Sequence, residues 1–186
     1  MKTVKRLIIT VVILLGCVLF TVLYPWITLF FGILFSPTPK PEITYGEFPI
    51  TLTYEYNGEL KTIEDTVICE FDGFGFNEAH GKFRKWETYL KSGNVDLVIL
   101  DLRGSDAKDK YGNKILCFFF SFGNAEYYMG DTWRKSYPQI RDYVEYKYER
   151  EDGTTGGSAY TADEALNKFG IKLISFENAQ PIENKF

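Results

Sequence analysis

The chain has 186 residues, and its 25 acidic side chains outnumber its 21 basic ones, giving a formal net charge of −4. That balance disfavours nucleic acid as a partner, because duplex binding depends on Lys and Arg neutralising phosphates. His80 is the only histidine, which excludes a multi-histidine metal site and obliges any histidine-dependent catalysis to use this one residue. We find no cofactor motif, and we expect no cofactor and no nucleic-acid partner.

A long apolar run opens the chain, since residues 7–35 contain no charged side chain. The hydrocarbon core of a bilayer is about 30 Å thick and a helix rises about 1.5 Å per residue, so roughly twenty apolar residues span it. A secretory signal would need a small-residue cleavage site that is missing here, and Cys17 at the end of a lipobox-like Leu-Leu-Gly-Cys is more simply an apolar helix residue. We predict a transmembrane anchor at 7–35. Pro25 should either kink this helix or end it near Tyr24, although one long tilted helix is equally compatible.

The orientation of this anchor follows from its flanking charges. Lys2, Lys5 and Arg6 precede the run, and the first acidic residue is Glu42. Short basic segments stay on the cytoplasmic side of a membrane. We therefore predict a single-pass protein of the cell membrane, with residues 1–6 as a cytoplasmic tail and an extracytoplasmic C-terminal domain.

A proline-rich stretch separates the anchor from that domain. Residues 36–41 read Ser-Pro-Thr-Pro-Lys-Pro, a sequence that fixes φ at alternate positions and predicts an extended spacer. Residues 42–186 are enough for one domain with its own core and too few for two ordinary domains.

Most of the domain has the pattern of strands. Residues 50–56 alternate apolar and polar side chains up to Asn57-Gly58, and residues 60–63 follow. Asn-Gly tolerates the positive φ values of a type I′ turn, so the sequence predicts a β-hairpin here. Further strands are predicted by β-branched and aromatic content at 66–71, 95–102, 115–122, 143–148 and 171–176.

Helical signals are fewer. Residues 81–93 fit a helix and a strand equally well, and the Gly-rich residues 153–158 predict a flexible loop. Thr161 and Glu164 form a capping box ahead of a short apolar face that ends at Gly170. The fold class we predict is mainly β, an antiparallel β-sheet or sandwich-like domain of five or six strands with one short C-terminal helix, preceded by the transmembrane helix.

Cys69 and Cys117 are the domain's two cysteines, and each lies in a predicted strand. A disulfide between them is plausible outside the membrane, and two buried, unpaired thiols are equally compatible.

Tyr127, Tyr128 and Trp133 form an aromatic group that could be a binding surface. Rings on a rigid surface stack on sugars or anchor a protein partner, although most rings of a small β domain fill its core.

Acidic residues give no catalytic signature. Asp101, Asp106 and Asp109 cluster between two predicted strands, but their spacing does not match a calcium loop, so a solvated hairpin loop is expected. Asp72 and Asp131 are tolerable candidates for the carboxylate pair of a glycosidase, yet nothing fixes their separation. We therefore predict no catalytic and no metal-binding residues.

Four segments of the domain carry a resemblance to a known group of proteins. Residues 69–73, 81–86, 125–131 and 168–175 resemble segments of single-pass membrane proteins from clostridia and related Gram-positive bacteria. The resemblance implies a cell-envelope location and no particular activity or ligand. With the anchor, it leads us to expect a non-enzymatic domain that binds a protein or another envelope component, such as a polysaccharide. Two alternatives remain open, namely a surface carbohydrate-active enzyme that uses paired carboxylates and an accessory subunit of a membrane complex.

Overall fold

The fold is described from a computed structural model of the chain. His80 and Trp133, both named above, lie outside the residues that it describes. Those residues are 2–34, 38–77, 81–132 and 135–186.

The chain divides into two compact units. One comprises Met1–Lys40 and Gly73–Lys85, and we call it the anchor unit. The other comprises Pro41–Asp72 and Trp86–Phe186, and we call it the sheet unit. The architecture is mainly β, with 45% of residues in strands and 21% in helices.

An apolar helix, α1 (Lys2–Leu34), forms most of the anchor unit. It continues through Pro25, so the expectation that the helix ends near Tyr24 is not met and the single long helix is what the structure contains. Its segment Ile9–Ile27 has a mean hydropathy of 2.3 and is long and apolar enough to cross a membrane, a property that secretory signal sequences share.

Sheet I contains four antiparallel strands in the order β3-β2-β1-β8. Tyr56 pairs with Glu59 across Asn57 and Gly58, whose φ values are 51° and 84°, so the predicted hairpin is confirmed. The chain after this turn forms one strand of 19 residues rather than two separate ones, and residues 81–90, which fitted a helix equally well, are a strand. The strands are β1 (Tyr45–Tyr56), β2 (Glu59–Asn77), β3 (Gly81–Leu90) and β8 (Ile171–Asn178).

Sheet II contains the other four strands in the order β4-β5-β6-β7, also antiparallel. The prediction of a flexible loop at 153–158 is wrong from Thr155 onward, where strand β7 (Thr155–Thr161) begins. Gly156 and Gly157 of this strand pair with Tyr148 and Lys147 of the neighbouring strand. A Cβ on Gly156 would come within 2.6 Å of the Tyr148 ring, so the missing side chain lets that ring cover the edge strand. The strands are β4 (Leu97–Asp101), β5 (Lys114–Phe120), β6 (Tyr143–Glu149) and β7 (Thr155–Thr161).

Two short helices complete the sheet unit. The predicted C-terminal helix is α3 (Ala162–Phe169), with both hydrogen bonds of the capping box present and Gly170 in the left-handed conformation. A one-turn helix that the sequence did not predict, α2 (Ala125–Tyr128), is capped by the Asn124 side chain.

One hydrophobic core lies between the two sheets. Tyr54 of sheet I donates a hydrogen bond from its hydroxyl to the Ile99 carbonyl oxygen of sheet II at 3.1 Å. The rings of Phe120 and Phe176, one from each sheet, lie 4.7 Å apart. Buried side chains alternate along the strands of both sheets, as expected when each sheet has one face on a common core.

Candidate functional site

The predicted aromatic surface needs correction, because its members do not share an exposed face. Tyr128 is fully buried, and its hydroxyl donates to the Phe122 carbonyl oxygen at 2.7 Å. The single turn of α2 points this ring into the core, where it contacts Phe48. Tyr127 is half-buried, with its hydroxyl accepting a bond from the Asn178 amide at 3.2 Å. Only Tyr127 keeps part of its ring exposed, and Trp133 lies outside the described residues.

Cys69 and Cys117 are free thiols in the structure, and they lie on different sheets. Cys69 in β2 is fully buried, and this burial raises the pKa of its thiol to about 12. Cys117 lies in β5 with partial exposure, where burial raises the pKa of its thiol despite the nearby Lys147 amine. The disulfide is thus not formed here, and the unpaired alternative describes this structure.

Two of the candidate carboxylates have hydrogen-bond partners within the chain. Asp131 is fully buried and accepts a bond from the Trp86 indole nitrogen at 3.1 Å. Asp101 is paired with Arg103, whose side-chain and backbone hydrogen bonds lower the pKa of this carboxyl to about 2. Over the described part of the chain, no group of three or more His, Cys, Asp or Glu side chains is placed to hold a metal ion.

The outer face of sheet I is polar, and its groups pair with one another. The Tyr45 hydroxyl donates to Glu47 at 2.6 Å, and the Lys91 amine contacts the same carboxylate at 3.1 Å. Tyr45 and Lys91 together lower the pKa of Glu47. The Tyr89 hydroxyl donates to Glu70 at 3.0 Å. Each of these carboxylates therefore already has a donor from the chain itself.

The outer face of sheet II is different, because it combines exposed apolar side chains with a lysine. Strand pairing places Cys117, Lys147 and Gly157 side by side across β5, β6 and β7. Val98 on β4 is 39% exposed between two core residues, so it points to the outer face. Phe119 occupies the same face of β5, and the Lys147 amine lies 5.2 Å from the centre of its ring.

Two depressions cross this outer face and meet at Leu116 and Lys147. The Lys147 amine forms an ion pair with Asp96, while Arg103 lies at one end of the second depression. We call the combined feature the sheet II groove, and it is formed by Asn94, Val95, Asp96, Val98, Arg103, Leu116, Cys117, Phe119, Lys147, Thr155, Gly156 and Gly157.

Gly157 lines the groove on the edge strand β7, where no side chain stands above the backbone. A Cβ at this position would meet nothing nearer than the Tyr146 carbonyl oxygen at 4.0 Å, and its φ is not in the left-handed range. Neither backbone conformation nor packing therefore requires glycine here. The absence of a side chain leaves room beside Lys147 on the outer face.

One signal in the sequence could have revealed this groove. Residues 115–120 are apolar without interruption, whereas a strand with one solvated face normally alternates apolar and polar side chains. The sequence therefore indicated that both faces of β5 are apolar. It did not indicate the rest of the groove, because those residues lie on and beside β4, β6 and β7.

Comparison of the chain with models of known protein families, with curated proteins and with solved structures gave no match. Function is therefore inferred from the geometry of the sheet II groove and from the apolar helix.

Proposed function

We propose that the protein is a single-pass membrane protein whose sheet unit binds a protein partner through the sheet II groove, without catalysis of its own. The observation that carries this proposal is the groove's anatomy. Leu116, Phe119 and the exposed Val98 supply apolar surface to the groove, and the Lys147–Asp96 ion pair and Arg103 line it beside them. Apolar side chains beside charged and polar groups are the usual composition of a protein interface.

A protein fits the groove better than a polysaccharide does. Sugars stack on flat, open aromatic faces, whereas the ring of Phe119 has the Lys147 amine above it. The other exposed apolar side chains of the groove are aliphatic, with Val95 79% exposed and Val98 39% exposed. A subunit of the same membrane complex would be one such protein partner.

The location is proposed from the N-terminal helix and the charges beside it. Helix α1 supplies the span, and the basic residues before it favour a cytoplasmic tail with the sheet unit on the extracytoplasmic side of the cell membrane. A location in a Gram-positive cell envelope is the part of this proposal that the resemblance supports.

Photo-cross-linking in cells tests the partner. A photoreactive amino acid replaces Val98 in the groove, and a second strain carries it in place of Tyr89 on the outer face of sheet I. Both side chains are 39% exposed, so the two positions are matched in accessibility. We expect a protein adduct of defined mass from position 98 only. Equal adducts from both positions, no adduct, or a heterogeneous carbohydrate adduct would contradict the proposal.

Gly157→Val is the substitution that separates binding from stability. Its side chain would enter the groove without backbone strain, and valine favours strands, so the domain should stay folded. We expect the adduct yield from position 98 to fall at least about fivefold, since a side chain that fills part of an interface costs about 1 kcal/mol or more. Ala159→Val, two residues along the same exposed edge, is the matched control and should keep the adduct. An unchanged yield in Gly157→Val would show that the partner does not occupy the groove.

A further inference from the structure

The anchor unit brings the ends of strands β2 and β3 to the chain that leaves helix α1. The Thr38 hydroxyl donates to the Lys82 carbonyl oxygen at 3.1 Å. The Arg84 guanidinium contacts the Pro39 carbonyl oxygen at 3.5 Å. Both bonds lie within the anchor unit, which also includes α1. The β3 end of the hairpin is thus attached to the first described residues after the helix.

This attachment limits how far the hairpin can lie from the end of the helix. Three residues lie between Leu34 and Thr38, and an extended chain advances at most about 3.6 Å per residue, or about 14 Å over these four steps. The apolar sequence continues to Phe35, beyond the segment Ile9–Ile27 that suffices to cross the hydrocarbon, so we expect the end of the apolar run at the headgroup level. The headgroup layer on each side of the hydrocarbon is about 5 to 8 Å deep. The connection therefore permits the hairpin to contact lipid headgroups.

The hairpin arms present the side chains that favour such a surface. Phe74 and Phe76 are 39% and 50% exposed, and their spacing of two residues places them on one face of β2. Gly75 between them lies against the Phe83 ring, where a Cβ would overlap that ring. The glycine thus lets Phe83 pack on the opposite face of the strand and leaves the two exposed rings together.

The charge of this segment opposes that of the whole chain. Residues 73–85 include three basic side chains and one acidic one, in a chain whose net charge is −4. Lys82 and Lys85 are exposed, and the Lys82 amine lies 4.1 Å from the centre of the Phe74 ring. A cation and an exposed ring therefore share one surface. Aromatic rings at headgroup depth with Lys or Arg beside them are the combination that binds anionic membrane surfaces.

We propose that the two arms of this hairpin, residues 73–76 and 81–85, dock on anionic lipid headgroups at the membrane surface where α1 emerges. The proposal rests on the membrane anchor proposed above and adds a second, reversible contact to it. Phe74 and Phe76 enter the interfacial layer, and Lys82 and Lys85 contact lipid phosphates. The tether through Thr38 keeps this weak contact at high local concentration.

Fluorescence quenching in nanodiscs tests the contact on the full-length chain. Phe76→Cys is labelled with an environment-sensitive fluorophore in a background where Cys17 and Cys117 are replaced by alanine and serine, while Cys69 is buried. The discs contain phosphatidylcholine alone or a 3:1 mixture with phosphatidylglycerol, plus a headgroup spin label as quencher. We expect strong quenching in the anionic discs, at least about threefold weaker in the neutral ones.

Charge reversal provides the matched pair of variants. Lys82→Glu/Lys85→Glu should abolish the extra quenching in anionic discs, whereas Lys108→Glu/Lys110→Glu makes the same change in charge at two exposed residues of the sheet unit and should leave it unchanged. Quenching that is equal in both lipids and indifferent to charge reversal would overturn the proposal, as would its absence. A chain that enters discs without quenching refutes the hairpin contact alone, and a chain that does not enter discs refutes the anchor as well.

Discussion

Single residues of the sheet unit show how buried polar groups are stabilised. Asp109 is only 7% exposed, yet its carboxylate accepts bonds from the Tyr111 and Asn113 backbone amides at 2.8 and 2.9 Å. The Asn113 side chain adds a third bond at 2.9 Å, and the Tyr146 hydroxyl lies at 3.4 Å. Burial by itself would raise the pKa of Asp109, but these donors outweigh it and the pKa is lowered. The carboxylate therefore fixes the turn between β4 and β5.

Asp109→Asn should destabilise the protein by about 2 kcal/mol at pH 7, because hydrogen bonds to a buried charged group are lost. The folded pKa of Asp109 lies below the ordinary carboxyl value of about 4, so this stabilisation is present above that value and is lost as the pH falls through the folded pKa. Thermal unfolding in mild detergent at pH 7 and pH 3 measures the difference. The exposed Asp106→Asn is the control and should change stability little. A gap between wild type and Asp109→Asn that widens at pH 3 would contradict the argument.

At the scale of elements, the end of α3 is joined to the first hairpin. The Gly170 amide donates to the Leu166 carbonyl oxygen at 2.9 Å, which caps the helix, and the Gly170 carbonyl accepts from the Asn57 amide at 2.9 Å. Gly170 has a φ of 66°, and a Cβ there would overlap the Asn57 side-chain oxygen. Gly170, which ends the helix, and Asn57, which forms the β-turn, are therefore in direct contact. This contact exists only in the folded chain, because the two residues are far apart in sequence.

Gly170→Ala should therefore cost more than the roughly 1 kcal/mol expected for alanine at a positive φ. Gly153→Ala is the matched control, since Gly153 has a φ of 80° and open space around its missing Cβ. Asn57→Gly removes the overlapping side chain and keeps the turn, so Gly170→Ala/Asn57→Gly should recover the excess cost. Urea unfolding of the four variants measures these terms, and equal losses for Gly170→Ala and Gly153→Ala would show that the overlap is relieved without cost.

For the whole molecule, the proposed arrangement across a membrane depends on very few charges. Lys2, Lys5 and Arg6 flank a span that is otherwise uncharged, and no acidic residue opposes them before Glu42. The positive-inside tendency is thus the main influence on the orientation, and it favours an extracytoplasmic sheet unit. The C-terminal Phe186 is 38% exposed, so a tag added after it should be accessible.

Protease treatment of intact cells that carry this C-terminal tag tests the orientation. We expect selective loss of the tag, while a cytoplasmic protein in the same sample stays intact. A tag that is protected until the cells are lysed would reverse the proposed topology and would direct the search for the groove's partner to the cytoplasm.

Local sequence was sufficient wherever a structure depends on neighbours along the chain. Asn57-Gly58 predicted the first turn because both residues tolerate positive φ, and Thr161 with Glu164 predicted the start of α3 because the capping box closes within one turn. Strand β7 was missed for the opposite reason. Gly156 and Gly157 have no side-chain pattern to read, and they are extended because β6 pairs with them and the Tyr148 ring covers Gly156.

The sequence by itself determined the apolar helix, the mainly β class of the domain and the local turns and caps, because each depends on hydropathy or on backbone preferences over a few adjacent residues. Only the tertiary structure decided that Tyr128 is a core residue, that Cys69 and Cys117 lie on different sheets, and that Lys147 and Gly157 line one groove. Those outcomes depend on which strands pair and in which register, and contacts between residues distant in sequence decide both.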